Sequence, residues 1–365
     1  MPSLRHIAAL ALVSCAPLVG PTAAMGASFE VALTGDSIVE GCSHRSPGRV
    51  GGLGAAVLAE LRALGVRASR GYLPAHDAVV SLPEAPRSYW PLHYSGSWTF
   101  EGTFGSLPSP FAADGFTSST SDPAASIDVT LEADRVGVLY GAGPDGGRFD
   151  LELAGRSQRI DSHAEHASTA LTWLDAPKAI DRLRIAGAKG GRVRFAGLIA
   201  RRRAAEVQLD QVGRSGAQAA DAFAPTNRQA LRALEPDLTV IMFGTNEEGA
   251  ALAGPQRDAE RRLARGLAAR ARLARKSGAC AFVPHAPNGR PPALQARLRE
   301  VAARVARDHG CDVHPVFSRV WASGESSVGD GLTADGIHPT AAGYELMGAR
   351  LARLIEGYRA RSISR

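Results

Sequence analysis

The sequence predicts a doubly wound α/β fold with a parallel sheet, interrupted by a β-rich domain. Three observations predict it. Apolar runs alternate with stretches of helical spacing near both ends of the chain, as in βαβ units. Residues 238–243 (LTVIMF) are apolar but for Thr239, as in a strand buried on both faces. Between about residues 72 and 201 no long amphipathic helix can be drawn, and short alternating runs replace it.

The elements follow in order. Residues 29–34 (FEVALT) form a buried strand that ends at Gly35-Asp36-Ser37. A helix is expected over about 51–64, where Leu53, Val57, Leu58, Leu61 and Leu64 share a face. Within the β-rich part, strands are expected at 126–131, 135–140, 148–153 and 192–195. The turn Pro144-Asp145-Gly146-Gly147 is expected to join the second and third as a hairpin. The α/β rhythm resumes with a strand at 204–212. Then come the strand 238–243, a basic helix over 256–276, a strand at 279–283 and a helix over 292–308. A strand at 311–317 and a helix over 340–358 close the chain. The expected organisation is an export signal over 1–27, an α/β domain over 28–80 and 204–365, and an inserted β-sandwich over 81–203.

Composition narrows the class. The chain has 365 residues, 45% apolar and 21% charged, enough to bury a large core. The net charge is +6, and only Lys178, Lys189 and Lys276 are lysines. The arginines are spread along helices as solvated faces, so no single basic face marks a nucleic-acid partner. Arg5 and His6 precede an apolar run over 7–19, and Thr22-Ala23-Ala24 supplies small residues for cleavage, which reads as export. Leu12-Val13-Ser14-Cys15 also fits a lipoprotein box with Cys15 as the anchor. No later segment has the roughly 20 apolar residues of a membrane helix. Cys280 and Cys311 open two expected neighbouring strands, so an oxidising compartment would permit a disulfide between them and leave Cys42 free. No C-x-x-C pair occurs, and neither a metal nor a cofactor is expected.

Ligands of open α/β sheets bind beyond the carboxyl ends of the strands. Ser37 follows the first strand, Asn246 in Gly244-Thr245-Asn246 follows the strand 238–243, and Asp335-Gly336-Ile337-His338-Pro339 follows the last strand. A serine hydroxyl needs a base to take its proton, and His338 can be that base. Asp335, three residues before it, can orient the ring and stabilise the imidazolium. Asn246, the Ser37 N–H and the Gly216 N–H can donate to a tetrahedral oxyanion. No G-x-S-x-G elbow surrounds Ser37, where Val39 occupies the last position.

These blocks resemble those of the SGNH (GDSL-type) hydrolases: Gly35-Asp36-Ser37-Ile38, Gly216, Gly244-Thr245-Asn246-Glu247 and Asp335-Gly336-Ile337-His338-Pro339. The resemblance covers about residues 29–65 and 204–360. It implies a flavodoxin-like three-layer αβα fold without a metal and a serine esterase. It also implies Ser37 as nucleophile, His338 as base, Asp335 as its orienter, and Ser37, Gly216 and Asn246 as the oxyanion hole. The β insert is similar in placement to the carbohydrate-binding-like module of envelope polysaccharide O-acetylesterases. The expected activity is therefore removal of O-acyl groups, most simply acetyl, from a carbohydrate. Envelope-glycan binding through the insert is expected with it. Tyr72, Trp90, Tyr94 and Trp98 are candidates for a wall that stacks on sugar rings, or else for domain-interface core. Lipid esterase or lysophospholipase activity, thioester hydrolysis, glycan acyl transfer and a pure binding module are the alternatives.

Overall fold

The computed structural model describes residues 28–41, 52–76, 91–103, 105–221 and 223–364. The expected signal, Cys15, Cys42 and Trp90 lie outside the described residues. The chain opens with β1 (Phe29–Gly35), α1 (Ser37–Glu40), α2 (Leu53–Ala63) and β2 (Ala68–Arg70). The β-rich part holds β3 (Tyr72–Leu73), β4 (Leu92–Ser95), β5 (Thr99–Glu101), β6 (Thr117–Thr120), β7 (Ser126–Ala142), β8 (Arg148–Leu153), β9 (Arg156–Asp161), β10 (Ser168–Lys189) and β11 (Val193–Arg201). Then follow β12 (Val207–Gly213), α3 (Pro225–Ala233), β13 (Leu238–Met242), α4 (Thr245–Ala253), α5 (Gln256–Ser277), β14 (Ala279–Phe282), α6 (Pro292–Asp308), β15 (Asp312–Val313), α7 (Gly324–Gly329) and α8 (Ala341–Ile363).

Six strands form a parallel sheet in the order β15-β14-β13-β1-β12-β2. Without the three-residue edge strand β2 this is the flavodoxin-like order 2-1-3-4-5. Helices α2 and α8 cover one face, where Leu53, Val57 and Leu61 pack with Tyr344, Met347, Leu351 and Ile355. Helices α5 and α6 cover the other through Leu263, Leu267, Leu298, Val301 and Val305. The three-layer αβα architecture thus follows from apolar stripes on helices set either side of strands that are buried on both faces. Cys280 and Cys311 are joined in a disulfide, with Cα atoms 4.9 Å apart, tying β14 to the approach of β15. Strand β15 is shorter than the expected 311–317: its last pairing is His314 N to Phe282 O, and Pro315 ends the ladder.

The β-rich part is one antiparallel nine-stranded sheet, built on the long strands β7 and β10. Two differences from the expectation stand out. The runs 126–131 and 135–140 are a single strand: Ala133 stays buried between Glu132 and Asp134, and past Arg135 the core-facing positions pass from 127, 129 and 133 to 136, 138 and 140, where the pairing with β10 also shifts register. Gly143–Gly147 does not close a hairpin either. Strand β8 pairs with β10 and β9, not with β7. The turn instead packs between Ser162 and Arg192: Gly143 N donates to Ser162 O and Gly147 N to Arg192 O. The sheet also begins earlier than residue 81, since β3 pairs with β11.

The two sheets share an apolar seam of Tyr72, Phe111, Leu139 and Ile199 with Val212, Leu231 and Leu234. Beside it, Arg201 at the end of β11 pairs with Asp210 of β12 through two contacts of 3.1 and 3.2 Å, and with Glu30 of β1 at 3.2 Å. Asp210 is fully buried, and burial pushes the Glu30 carboxyl up to about 7 despite the guanidinium. Leucine at position 201 would leave both carboxylates without a counter-charge. Arg201→Leu is expected to lose about 3–5 kcal/mol in urea unfolding, the cost of breaking a buried pair from one side.

Candidate active site

Strand register sets the site. Gly35 at the end of β1 is level with Gly213 of β12 and Met242 of β13. The segments that follow these three strands therefore leave the sheet at one edge. Ser37 starts the four-residue helix α1, whose N-cap is Asp36: its carboxylate accepts the Ile38 N–H at 3.0 Å. Asp36 is buried, which pushes its carboxyl up to about 6, while the Ile38 N–H and the nearby His285 and His338 rings pull it back. Its place is under the turn, holding Ser37 in position.

The loop between α7 and α8 closes over the serine. Ser37 Oγ lies 3.0 Å from His338 Nε2. On the far side of the ring, His338 Nδ1 lies 2.9 Å from Asp335 Oδ2. The other carboxylate oxygen, Oδ1, accepts the backbone N–H groups of Ile337 at 2.9 Å and His338 at 2.7 Å. Partial burial opposes the charge on Asp335. The His338 N–H and ring together with the Ile337 N–H outweigh it, and hold this carboxyl well below the usual carboxylate range. Asp335 stays ionised while its own loop fixes where it points.

The donor side is equally local. Arg214-Ser215-Gly216-Ala217 form a turn closed by Ala217 N to Arg214 O at 3.1 Å. Gly216 has φ +75°, the left-handed conformation that this turn position demands and glycine adopts without steric cost. Asn246, in the first turn of α4, donates one amide hydrogen to Ala217 O at 2.9 Å. A carboxamide has two such hydrogens, so one remains for a ligand. The Ser37 N–H sits in the first turn of α1, where the helix itself offers no acceptor.

Ser37, Asp335, His338, Gly216 and Asn246 therefore meet at one edge. Among the described aromatic candidates, Tyr72 does not join them. Tyr72 is 1% exposed and donates its hydroxyl to Ala196 O, so it is core at the seam and not a sugar platform. Tyr94 spends its hydroxyl on Ala75 O and Ser118, and it stacks edge-on with the half-buried Trp98.

Supporting residues flank these groups: Glu247 stands in the block read from the sequence, whereas Glu40 and Glu248 escaped that reading. Glu40, buried in α1, accepts the Ser215 N–H beside Gly216. Glu247 accepts the Ala219 N–H, and burial pushes its carboxyl up to about 7. Glu248 is buried against His285 and Asn288, and the next residue, Gly289, donates its N–H to Gly336 O in the histidine loop. The available signal was spacing from the blocks themselves, with an acidic residue three after Ser37 and two directly after Asn246.

The model of the GDSL-like lipase/acylhydrolase family matches residues 168–346. A solved structure described as "Peptidoglycan O-acetylesterase in action, 5 min" superposes with a TM-score of 0.67 at 16% identity, over 92% of each chain. A family two carbohydrate esterase from Clostridium thermocellum matches with a TM-score of 0.32 at 12% identity, over 72% of this chain and 98% of that one. The lipase/acylhydrolase from Enterococcus faecalis matches with a TM-score of 0.33 at 24% identity, over 42% of this chain and 77% of that one. No curated protein matches the chain. Family match and fold agree with the blocks read from the sequence: over residues 168–346 the chain carries a GDSL-like lipase/acylhydrolase domain, and it is a carboxylic ester hydrolase whose α/β fold carries a β-rich insert.

Proposed function

We propose that the chain is an exported serine esterase that removes O-acetyl groups from a carbohydrate polymer through an acyl-serine intermediate. The 3.0 Å approach of Ser37 Oγ to His338 Nε2, with Asp335 behind the ring, carries this reading. Ser37 Oγ adds to the ester carbonyl carbon as its proton passes to His338 Nε2. Gly216 N–H, Ser37 N–H and the free amide hydrogen of Asn246 take the oxyanion. The tetrahedral adduct collapses, and the sugar hydroxyl leaves with the proton from His338. A water then gives a proton to the same nitrogen and attacks the acyl-serine, releasing acetate and restoring Ser37.

The carbohydrate part of the reading is supported by the likeness in fold to a peptidoglycan O-acetylesterase across both sheets. Export is supported by the N-terminal sequence pattern and by the Cys280–Cys311 disulfide, a bond of oxidising compartments. The β insert would hold the polymer while the α/β domain cleaves.

The test is acetate release from O-acetylated peptidoglycan and other acetylated polysaccharides, beside chromogenic esters of increasing acyl length. Acetyl is expected to be the preferred acyl group on both kinds of substrate. A steady rise in kcat/KM with chain length, without acetate release from any polymer, would turn the assignment towards a lipid esterase. Asn246→Ala is expected to lower kcat about 10²–10³-fold, the usual cost of one oxyanion donor. A drop of less than about threefold would remove Asn246 from the hole.

A further inference from the structure

The turn that carries Gly216 is held on three sides by the α/β domain. Arg214 N donates to Gly35 O, Glu40 takes the Ser215 N–H, and Asn246 grips Ala217 O. The fourth restraint comes from elsewhere. The Arg214 side chain is 6% exposed and runs out of the α/β domain into the insert. Its Nε donates to Gly102 O at 3.2 Å and its Nη2 to Ser106 O at 2.5 Å. Gly102 directly follows β5. Both acceptors are main-chain carbonyls, so the guanidinium fixes the path of the insert backbone, and the backbone fixes the guanidinium.

The insert segment has a second anchor. Asn227 of α3 donates to Ser109 O and Ala112 O, and Thr226 donates to Pro110 O. Gly102 and Ser106 on one side, and Ser109, Pro110 and Ala112 on the other, are therefore tied to the α/β domain. At one end lies the turn that carries Gly216. Burial pulls the Arg214 guanidinium below its ordinary range, while Asp221, Glu40 and Asp114 hold its charge in place. A planar fork with two donors in fixed geometry suits two carbonyls in a way that an ammonium does not.

We propose that Arg214 is a positioning residue that makes the Gly102–Ser106 end of the insert part of the catalytic apparatus. The insert then sets turnover itself, in addition to any part it plays in holding polymer. The proposal rests on the esterase reading above. It predicts an effect on a substrate too small to need a polymer-binding surface. Displacing a catalytic group by about 1 Å can cost about 10²-fold, and the aim of the Gly216 N–H depends on this restraint.

The experiment measures kcat and KM on a soluble chromogenic acetyl ester, with thermal unfolding of each variant. Arg214→Ala is expected to lower kcat about 10–100-fold and to leave KM within about threefold. Arg214→Lys, which keeps the charge but not the fork, should fall between it and the wild type. Gly102→Ala approaches the same contact from the insert side. Gly102 has φ +87°, and an added Cβ would lie 2.0 Å from Gly115 O, so the loop must shift. Its kcat should also fall, and the double variant should be no slower than the slower single variant, because both act through one contact. A folded Arg214→Ala protein with wild-type kcat would overturn the proposal. So would losses that multiply in the double variant, or a Gly102→Ala protein with unchanged kcat. If Arg214→Ala does not fold, Arg214→Lys with Gly102→Ala decides the matter by the same criteria. A wild-type chain that cleaves no ester would instead fall on the esterase reading, and would take this proposal with it.

Discussion

Ser37→Ala is expected to lower kcat on an acetyl ester by about 10⁴–10⁶-fold while the protein melts at nearly the wild-type temperature. The two halves of this result have separate causes. The Ser37 hydroxyl has one described partner, His338 Nε2. Losing one such hydrogen bond costs about 1 kcal/mol. Neither the N-cap by Asp36 nor the packing of Ile38 and Val39 in the core depends on the hydroxyl. Chemistry, by contrast, loses the atom that forms the acyl-enzyme in the proposed mechanism. On the proposed mechanism any activity left comes from the donors around Gly216 and Asn246 acting on water attack, and it should no longer show an acyl-enzyme burst. Initial rates, burst amplitude and a melting curve check all three parts. A variant that keeps more than about a tenth of the wild-type kcat would show that another group attacks the ester.

The site was legible because its parts follow strands that sequence patterning identifies well. Residues 238–243 are apolar but for Thr239, residues 29–34 but for Glu30 and Thr34, and both are followed at once by polar triplets. Parallel packing then brings the triplets to one edge by register alone, as Gly35 opposite Gly213 and Met242 illustrates. The histidine loop is legible for a different reason, since Asp335 and His338 interact over three residues and need no tertiary information.

What was not legible acts on main-chain atoms. Glu40 and Arg214 bond to an N–H and to carbonyls, and any residue supplies those, so no pattern in the sequence marks the partner. The insert was misread where one strand was taken as two, 126–131 and 135–140. Glu132 and Asp134 are charged, yet Ala133 between them stays buried and the strand runs on. The turn at Gly143–Gly147 carries hairpin residues, yet its strands pair elsewhere, because pairing is decided by which faces the core requires and not by turn chemistry alone. Tyr72 teaches the same lesson at one residue. Its ring type suits sugar stacking, but the pairing of β3 with β11 turns it into the seam.

Asp335→Asn is expected to be almost as damaging as loss of the nucleophile, about 10⁴-fold in kcat, although it removes no heavy atom from the site. The reason lies in the division of labour between the two carboxylate oxygens. Oδ1 accepts two backbone N–H groups, from Ile337 and His338. An asparagine must keep its carbonyl oxygen there, since an NH₂ group would face two donors. Its NH₂ is then left where Oδ2 now stands, 2.9 Å from His338 Nδ1. An NH₂ donates, so the ring must present a bare Nδ1 and carry its hydrogen on Nε2. That hydrogen faces Ser37 Oγ, and the nitrogen that should take the serine proton is already protonated. Asp335→Ala imposes no such tautomer. It should therefore retain at least as much activity as Asp335→Asn, despite losing the bonds that shape the loop. Because Asp335 is held well below the usual carboxylate range, its own titration should not appear on the acid limb of the wild-type pH–rate profile. Comparing the two variants at one pH, with melting curves for both, separates a fault of tautomer from a fault of folding. An asparagine variant within about tenfold of the wild type would mean that Asp335 shapes the loop without governing the ring.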